Sequence, residues 1–324
     1  MQEIEKLVRQ SKAYAKIKHE KNVDKLSHAY LFVSSDTEYL AEFARAIAKL
    51  IMCQSDDICS VCSSCCKNDA GVHADVMKFK SSDINPLVVS EFISSISIMP
   101  YEGNYKIYIF EDVGEYSQII QNKLLKSIEE PPASVIILLT TNNENKVIST
   151  IKSRASRVAL DAFSLSQLMP YLKKYSSDEK IIEMAVASSQ GLPCQSMKTL
   201  ADVKFKTLYD TVFNVFSNMN SSSDILKFAS LFTDKNEIQE FVSLAEIIVR
   251  DLIVISAGEE ELMLCKSSKK ELIEISKGFT ISGLSTIIDE INNALRKIFY
   301  GVSPVTIMDS LLFKIVEVKV KCKK

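Results

Sequence analysis

His28-Ala-Tyr-Leu-Phe-Val-Ser-Ser-Asp-Thr-Glu38 decides how this chain is read. Ala29 to Val33 is a short apolar run of strand formers. Apolar residues then recur at Leu40, Phe43, Ala44, Ile47 and Leu50, the spacing of one helix face. Strand, short loop and helix, in that order, is where a phosphate-binding loop is built. Such a loop needs glycines, so that backbone N–H groups can wrap phosphate, and a lysine for the terminal phosphates. The loop here, Ser34, Ser35, Asp36, Thr37 and Glu38, has neither. It sets two acids where a polyanion would lie, and like charges repel. The expectation is an α/β fold whose own nucleotide loop is degenerate, with binding of Mg-ATP weak or absent.

Outward from this stretch the pattern repeats. Tyr105-Lys-Ile-Tyr-Ile-Phe110 and Val135-Ile-Ile-Leu-Leu-Thr-Thr141 are nearly continuous apolar runs, which suit parallel strands buried on both faces. Ala74–Phe79 and Val158–Leu160 read as shorter strands. Residues 86–98 and Ser117–Glu129 read as helices, the second stopped by Pro131-Pro132. Strands alternating with helices predict a parallel sheet up to about residue 162. Beyond it the strands disappear. Short helices are expected over 165–200, then long amphipathic helices to about 320, including Glu237–Ile255 and Ile281–Phe299. At the other end, residues 1–25 read as a solvated amphipathic helix, with Leu7 and Ala15 inward and Arg9, Lys12 and Lys16 on one face.

Inserted after the first of these helices is Cys53-x5-Cys59-x2-Cys62-x2-Cys65. The two C-x2-C steps let thiolates converge from one turn, and Cys53 closes a tetrahedron from the helix end. Soft sulfur ligands in that geometry favour Zn²⁺, and four thiolates leave no position for water, so the predicted site is structural. Cys66, separated from Cys62 by three residues, is the alternative to Cys65. Cys194, Cys265 and Cys322 are isolated and read as small apolar residues. His73 follows the cluster and reads as a local hydrogen-bonding residue, and His19 and His28 have no partner at catalytic spacing.

Composition excludes some classes. Hydrophobic residues make up 47% and charged residues 25% of 324, ordinary for a globular chain. The net charge of −2 and the closed four-thiolate site argue against a zinc-dependent nucleic-acid-binding module. No apolar run is long enough to span a membrane. The charged start of the chain carries no apolar leader, so a reducing, cytoplasmic compartment is expected, where clustered cysteines bind metal more often than they pair.

Several motifs together resemble the clamp-loader branch of AAA+ proteins. Asn122-Lys-Leu-Leu-Lys-Ser-Ile-Glu-Glu-Pro-Pro132 is similar to the family's NALLKTLEEPP. Ile148-Ser-Thr-Ile-Lys-Ser-Arg154, after Leu138-Leu-Thr-Thr-Asn142, is similar to its sensor strand and TIRSRC. His28-Ala-Tyr-Leu-Phe32 resembles its HALLF start, and the cysteines with Gly71-Val-His-Ala-Asp75 resemble its zinc module. The likeness covers roughly residues 25–162 well and the carboxy-terminal helices loosely, chiefly at Arg250-Asp251-Leu252.

The resemblance implies an AAA+ core with inserted zinc module at 1–162 (cysteines about 53–66), a small helical lid at 163–205 and an all-α collar at 206–324. It implies a hetero-oligomer with motor and delta subunits, acting on a sliding clamp and primer-template DNA. Arg154 is implied as an arginine finger acting in trans at a neighbour's ATP site, with Ala155 where the family has cysteine. Arg157 and Lys152 are further candidates for phosphate or interface contacts. Glu111-Asp112 reverses the Asp-Glu order of a hydrolase, and Thr141 and Asn142 stand at the sensor position. Gly191-Leu-Pro193 resembles the sensor-2 region without its arginine. A non-hydrolysing subunit is the reading, with a divergent motor-type ATPase as the alternative.

Overall fold

The structure is a computed structural model that describes residues 2–229 and 234–322. Residues 1, 230–233 and 323–324 of the expected core and collar lie outside the described residues. The chain divides into two compact units, Met1–Ala162 with Leu192–Cys194, and Phe163–Gly191 with Gln195–Lys324.

The first unit opens with two helices, α1 (Gln2–Gln10) and α2 (Lys12–Asn22), where one was expected. Ser11 breaks them: its Oγ donates to Val8 O at 2.6 Å and accepts from Tyr14 N–H at 3.1 Å, capping α2. The break shifts the phase of the second helix. Tyr14 and Ile17 are therefore buried and Ala15 is exposed, so the expectation of an inward Ala15 is corrected, while Leu7 does face inward.

The sheet follows, with strands β1 (Ala29–Val33), β2 (Val76–Phe79), β3 (Lys106–Phe110), β4 (Val135–Thr141) and β5 (Ser156–Ala159). Its order is β2-β3-β4-β1-β5, and every pairing is parallel. The three central strands are the three apolar runs read from the sequence. All five residues of β3 and all seven of β4 are buried, which a strand covered on both faces requires. On one face α5 (Pro86–Ser95) and α6 (Gln118–Glu129) enclose a core of Phe92, Tyr108, Phe110, Leu124, Ile137 and others. Its aromatic centre is tight: Phe92 meets Tyr108 edge-on at 4.8 Å and Phe110 at 5.0 Å between ring centroids. α3 (Thr37–Met52), which follows β1, buries Phe43 edge-on against Phe32 at 5.0 Å. The short helices α4 (Ser63–Ala70) and α7 (Ser149–Lys152) complete the unit.

Parallel strands point their carboxyl ends the same way. Because β3, β4 and β1 are neighbours, the loop 34–36, the Glu111-Asp112 pair and the Thr141-Asn142 pair are brought to one edge of the sheet, where open α/β sheets bind ligands.

The second unit is all helix: α8 (Leu165–Leu172), α9 (Glu179–Ser188), most of α10 (Pro193–Ala201), α11 (Val203–Asn218), α12 (Ser222–Ala229), α13 (Lys235–Ser256), α14 (Lys269–Ser276), α15 (Ile281–Phe299) and α16 (Pro304–Cys322). Segments expected as lid and collar contribute to one hydrophobic core, in which Ile181 and Met184 join Tyr209, Phe241, Leu284 and Leu311. Buried carboxylates fasten its irregular stretches. Asp251, fully buried, accepts from Leu264 N–H at 3.0 Å and Cys265 N–H at 2.8 Å. Glu183 accepts from the N–H and hydroxyl of Ser267, both at 2.8 Å. The Arg250-Asp251-Leu252 motif is thus a structural clasp in this unit.

Candidate functional site

The loop after β1 is closed by one of its own acids. Asp36 is the N-cap of α3, and its Oδ1 accepts from Tyr39 N–H at 3.1 Å. The other oxygen, Oδ2, accepts from Cys194 N–H at 2.9 Å, where α10 begins. Ser34 Oγ in turn accepts from Asp36 N–H at 3.2 Å. Asp36 is only 6% exposed. A helix N-terminus, with its unpaired N–H groups and positive dipole end, is the usual cradle for phosphate. Here a carboxylate of the chain takes that place. Asp36 stands at the loop expected from the sequence, and the signal for its capping role is an acid at the N-cap position directly before an apolar helical run.

The neighbouring motifs also bond to one another. Asp112 has left-handed backbone (φ 50°), and its N–H donates to Thr140 Oγ1 at 2.9 Å. Its carboxylate accepts from Asn142 Nδ2 at 3.2 Å. Burial raises the Asp112 carboxyl above its ordinary value. Glu111 is paired with Lys78 at 2.6 Å. Thr141 donates its hydroxyl to Asn143 O at 3.1 Å. Gln121, buried in α6, bonds this loop at Lys146 O and Ile148 N–H and the segment before its own helix at Tyr116 O, all at 3.0–3.1 Å. Asp112, Thr141 and Asn142 at this sheet edge are therefore hydrogen-bonded within the chain, and Glu111 is ion-paired.

Arg154 lies in the turn after α7. Its Nε pairs with Glu129 Oε1 at 2.7 Å, and its Nη1 donates to Thr150 O at 3.1 Å and Ser153 Oγ at 3.3 Å. Its side chain is 38% exposed. Ala155, by contrast, is buried in the core with Ile151, so a small apolar residue suits that position. Arg157 is held differently: Glu144 grips it bidentately at 2.7 and 2.9 Å, and Lys152 Nζ reaches Glu144 O at 3.4 Å. Arg154 keeps its Nη2 donors without a hydrogen bond among the described residues.

The cysteine centre is built at the end of α3. Cys53 is that helix's C-cap, Cys62 is the N-cap of α4, and Cys65 lies in the first turn of α4. The sulfurs of Cys53, Cys59, Cys62 and Cys65 all lie within 4.8 Å of one another. Cys59 and Cys65 sulfurs are 3.9 Å apart, against about 3.8 Å for two thiolates on a tetrahedral zinc with Zn–S near 2.3 Å. Backbone N–H groups point at two of the sulfurs, Cys62 N–H at Cys59 (3.3 Å) and Cys65 N–H at Cys62 (3.4 Å). Such bonds stabilise thiolate charge. The N–H groups of Val61 and Cys62 bring the Cys59 thiol down to about 6, while burial raises that of Cys65. The donor set fits a closed tetrahedral metal site. Cys66 lies outside it, exposed, with its sulfur 3.8 Å from Val61 O.

Ion pairs that the sequence did not reveal tie this module to the helices around it. Lys49, 3% exposed, bridges Glu5 of α1 (3.0 Å) and Asp69 of α4 (2.7 Å). Lys21 Nζ donates to the carbonyls of Leu50, Cys53 and Ser55 at 2.7–2.9 Å. Asp57 receives Lys18, Arg9 and the Tyr14 hydroxyl. Burial would raise the Asp57 carboxyl, but these partners outweigh it and hold it well below the usual range. His73 bonds Ser64 Oγ at 2.9 Å and accepts from Asp75 N–H at 3.1 Å, a local role. Asp75 in turn receives Tyr101 and Glu102 N–H at 2.6 and 2.7 Å.

A five-stranded parallel sheet of this order, with a four-cysteine insertion and a helical second unit, defines an AAA+-type core. Residues 9–164 match the family described as "DNA polymerase III, delta subunit". That match covers just under half of the chain, and the similarity is to subunits of DNA polymerase III. It is 27% identical over 161 residues to DNA polymerase III subunit gamma of Buchnera aphidicola subsp. Baizongia pistaciae, covering 48% of this chain and 44% of that protein. To subunit tau of Escherichia coli it is 26% identical over 164 residues, covering 49% and 26%. To subunit tau of Bacillus subtilis it is 22% identical over 293 residues, covering 89% and 45%. The chain thus spans less than half the length of these curated relatives. Among solved structures, a gamma-subunit-related protein from Thermotoga maritima aligns at TM-score 0.39 and 15% identity, covering 94% and 99% of the two chains. Among the described residues no helix is long and apolar enough to cross a membrane.

Proposed function

We propose that this chain is the delta-prime type of clamp-loader subunit, a AAA+ partner that does not hydrolyse ATP and completes the ATP site of a neighbouring motor subunit. The observation that carries this reading is Asp36. Its buried carboxylate caps α3 and holds Cys194 N–H, so the position a phosphate needs is filled by a like charge. The absence of glycine and lysine from residues 34–38 points the same way.

Arg154 is the residue assigned to act in trans. Its exposed guanidinium would neutralise charge developing on a phosphoryl group held by the neighbour. Cys53, Cys59, Cys62 and Cys65 would hold Zn²⁺ in a structural role, since four thiolates leave no coordination position for water. In this reading residues 163–205 serve as a lid and 206–324 as a collar that joins motor and delta subunits. The assembly opens a sliding clamp and loads it on primed DNA.

A second reading is a divergent motor-type ATPase of the same complex, favoured by the gamma and tau names of the relatives. One experiment addresses the first reading. The DNA- and clamp-stimulated ATPase of the reconstituted loader is measured with wild-type chain and with Arg154→Ala. A finger is worth about 10³-fold or more in rate, so a large drop with assembly intact by size exclusion is expected. An unchanged rate in an intact complex sinks the finger assignment.

A further inference from the structure

The Arg154 guanidinium is fastened on one side and open on the other. Nε lies 2.7 Å from Glu129 Oε1 in an ion pair and Nη1 donates to Thr150 O and Ser153 Oγ, while Nη2 makes no hydrogen bond among the described residues. Thr150 and Ser153 belong to the same turn as Arg154, so they follow it wherever it goes. Glu129 comes from another element, the last residue of α6, and is the contact that fixes the guanidinium against the rest of the unit.

Glu129 stands where a helix does not favour it. The carboxyl end of a helix carries partial negative charge, and an acid there is unfavourable unless a cation answers it. α6 ends in Glu129 with Glu130 as its C-cap, just before Pro131-Pro132. Arg154 is the cation that answers Glu129.

We infer that Glu129 is the positioning residue of Arg154, holding its Nε edge so that the Nη2 edge is presented outward to an anionic phosphoryl group of another subunit. This rests on the in-trans reading of Arg154. With 38% and 41% of the two side chains exposed, solvent screens the pair. Glu129 therefore orients the guanidinium without neutralising it for a polyphosphate.

The test uses the full chain in the reconstituted loader, with ATP as substrate and assembly followed by size exclusion. Glu129→Ala, Glu129→Gln, Arg154→Ala and the double variant Glu129→Ala/Arg154→Ala are compared. Misplacing a reacting group by an ångström costs up to about 100-fold, so Glu129→Ala should lower kcat by roughly ten-fold with KM for ATP little changed. Glu129→Gln, which keeps an oxygen acceptor, should recover part of the loss. In the double variant the rate should equal that of Arg154→Ala, because Glu129 acts only through Arg154.

A wild-type kcat for Glu129→Ala while Arg154→Ala is impaired overturns the inference and leaves the finger standing. Equal losses in both backgrounds, or a rise in rate, also overturn it. An unaltered rate for Arg154→Ala removes the finger and the inference with it.

Discussion

Asp36→Ala removes one buried carboxylate and two hydrogen bonds, and the cost can be worked from each. Loss of the N-cap bond to Tyr39 N–H is worth about 0.5–2 kcal/mol. Loss of the acceptor 2.9 Å from the buried Cys194 N–H adds about 1–3 kcal/mol. Relief of a desolvated charge offsets part of this, so a net destabilisation of about 2–3 kcal/mol is expected. Asp36→Asn separates the two bonds. Its amide oxygen still caps α3, but its amide nitrogen cannot accept from Cys194, so the expected loss is about half that of alanine. The assay is hydrogen exchange read by mass spectrometry on peptides containing Tyr39 and Cys194, with urea unfolding beside it. Exchange should quicken at both places in Asp36→Ala and at Cys194 alone in Asp36→Asn. Wild-type exchange and a wild-type urea midpoint for the alanine variant would refute the role given to this carboxylate.

Other expectations follow from the same structure. The purified chain should carry one zinc per molecule, released by a mercurial reagent, and its removal should lower the thermal midpoint; a metal-free chain of unaltered stability would contradict the closed site. Lys49→Met leaves Glu5 and Asp69 without their shared cation and should cost about 1–2 kcal/mol, Asp69 being partly solvated, with faster exchange in α1; a neutral effect would show that the bridge is dispensable. Glu290 is pushed up by burial but held below its ordinary value by the Ser310 hydroxyl and Lys297. A depressed carboxyl contributes stability that is present above its unfolded pKa, about 4.3, and is lost as pH falls through the folded value. Glu290→Gln should therefore lose stability at neutral pH and fall less steeply than wild type below about pH 4; parallel acid limbs would contradict this.

Most of the first unit was legible because its signals are local. β1, β3 and β4 are nearly continuous apolar runs, and their burial in a parallel sheet covered on both faces is what such runs are for. The cysteine spacing likewise encodes its own geometry, with helix ends supplying Cys53 and Cys62. What escaped the sequence depends on partners far along the chain. Asp36 meets Cys194 across 158 positions, and Lys49 meets Glu5 across 44. No periodicity announces such pairs. Glu129 was read only as part of a helix end, because its meaning comes from Arg154 folding back onto it. The break at Ser11 was locally encoded and still missed. Serine at an N-cap competes with helix continuation through its own hydroxyl, and the charged residues on either side masked it. In the second unit, helix periodicity gave the elements but not their sharing of one core, which is set by which apolar faces meet.

The central claim is that this AAA+ chain has filled its own phosphate position and works for a neighbour's. Titration of the purified chain alone with Mg-ATP, followed by calorimetry, tests it most directly. The account predicts no saturable heat up to millimolar nucleotide. One-site saturable binding at micromolar concentration would contradict it and return the chain to the motor class.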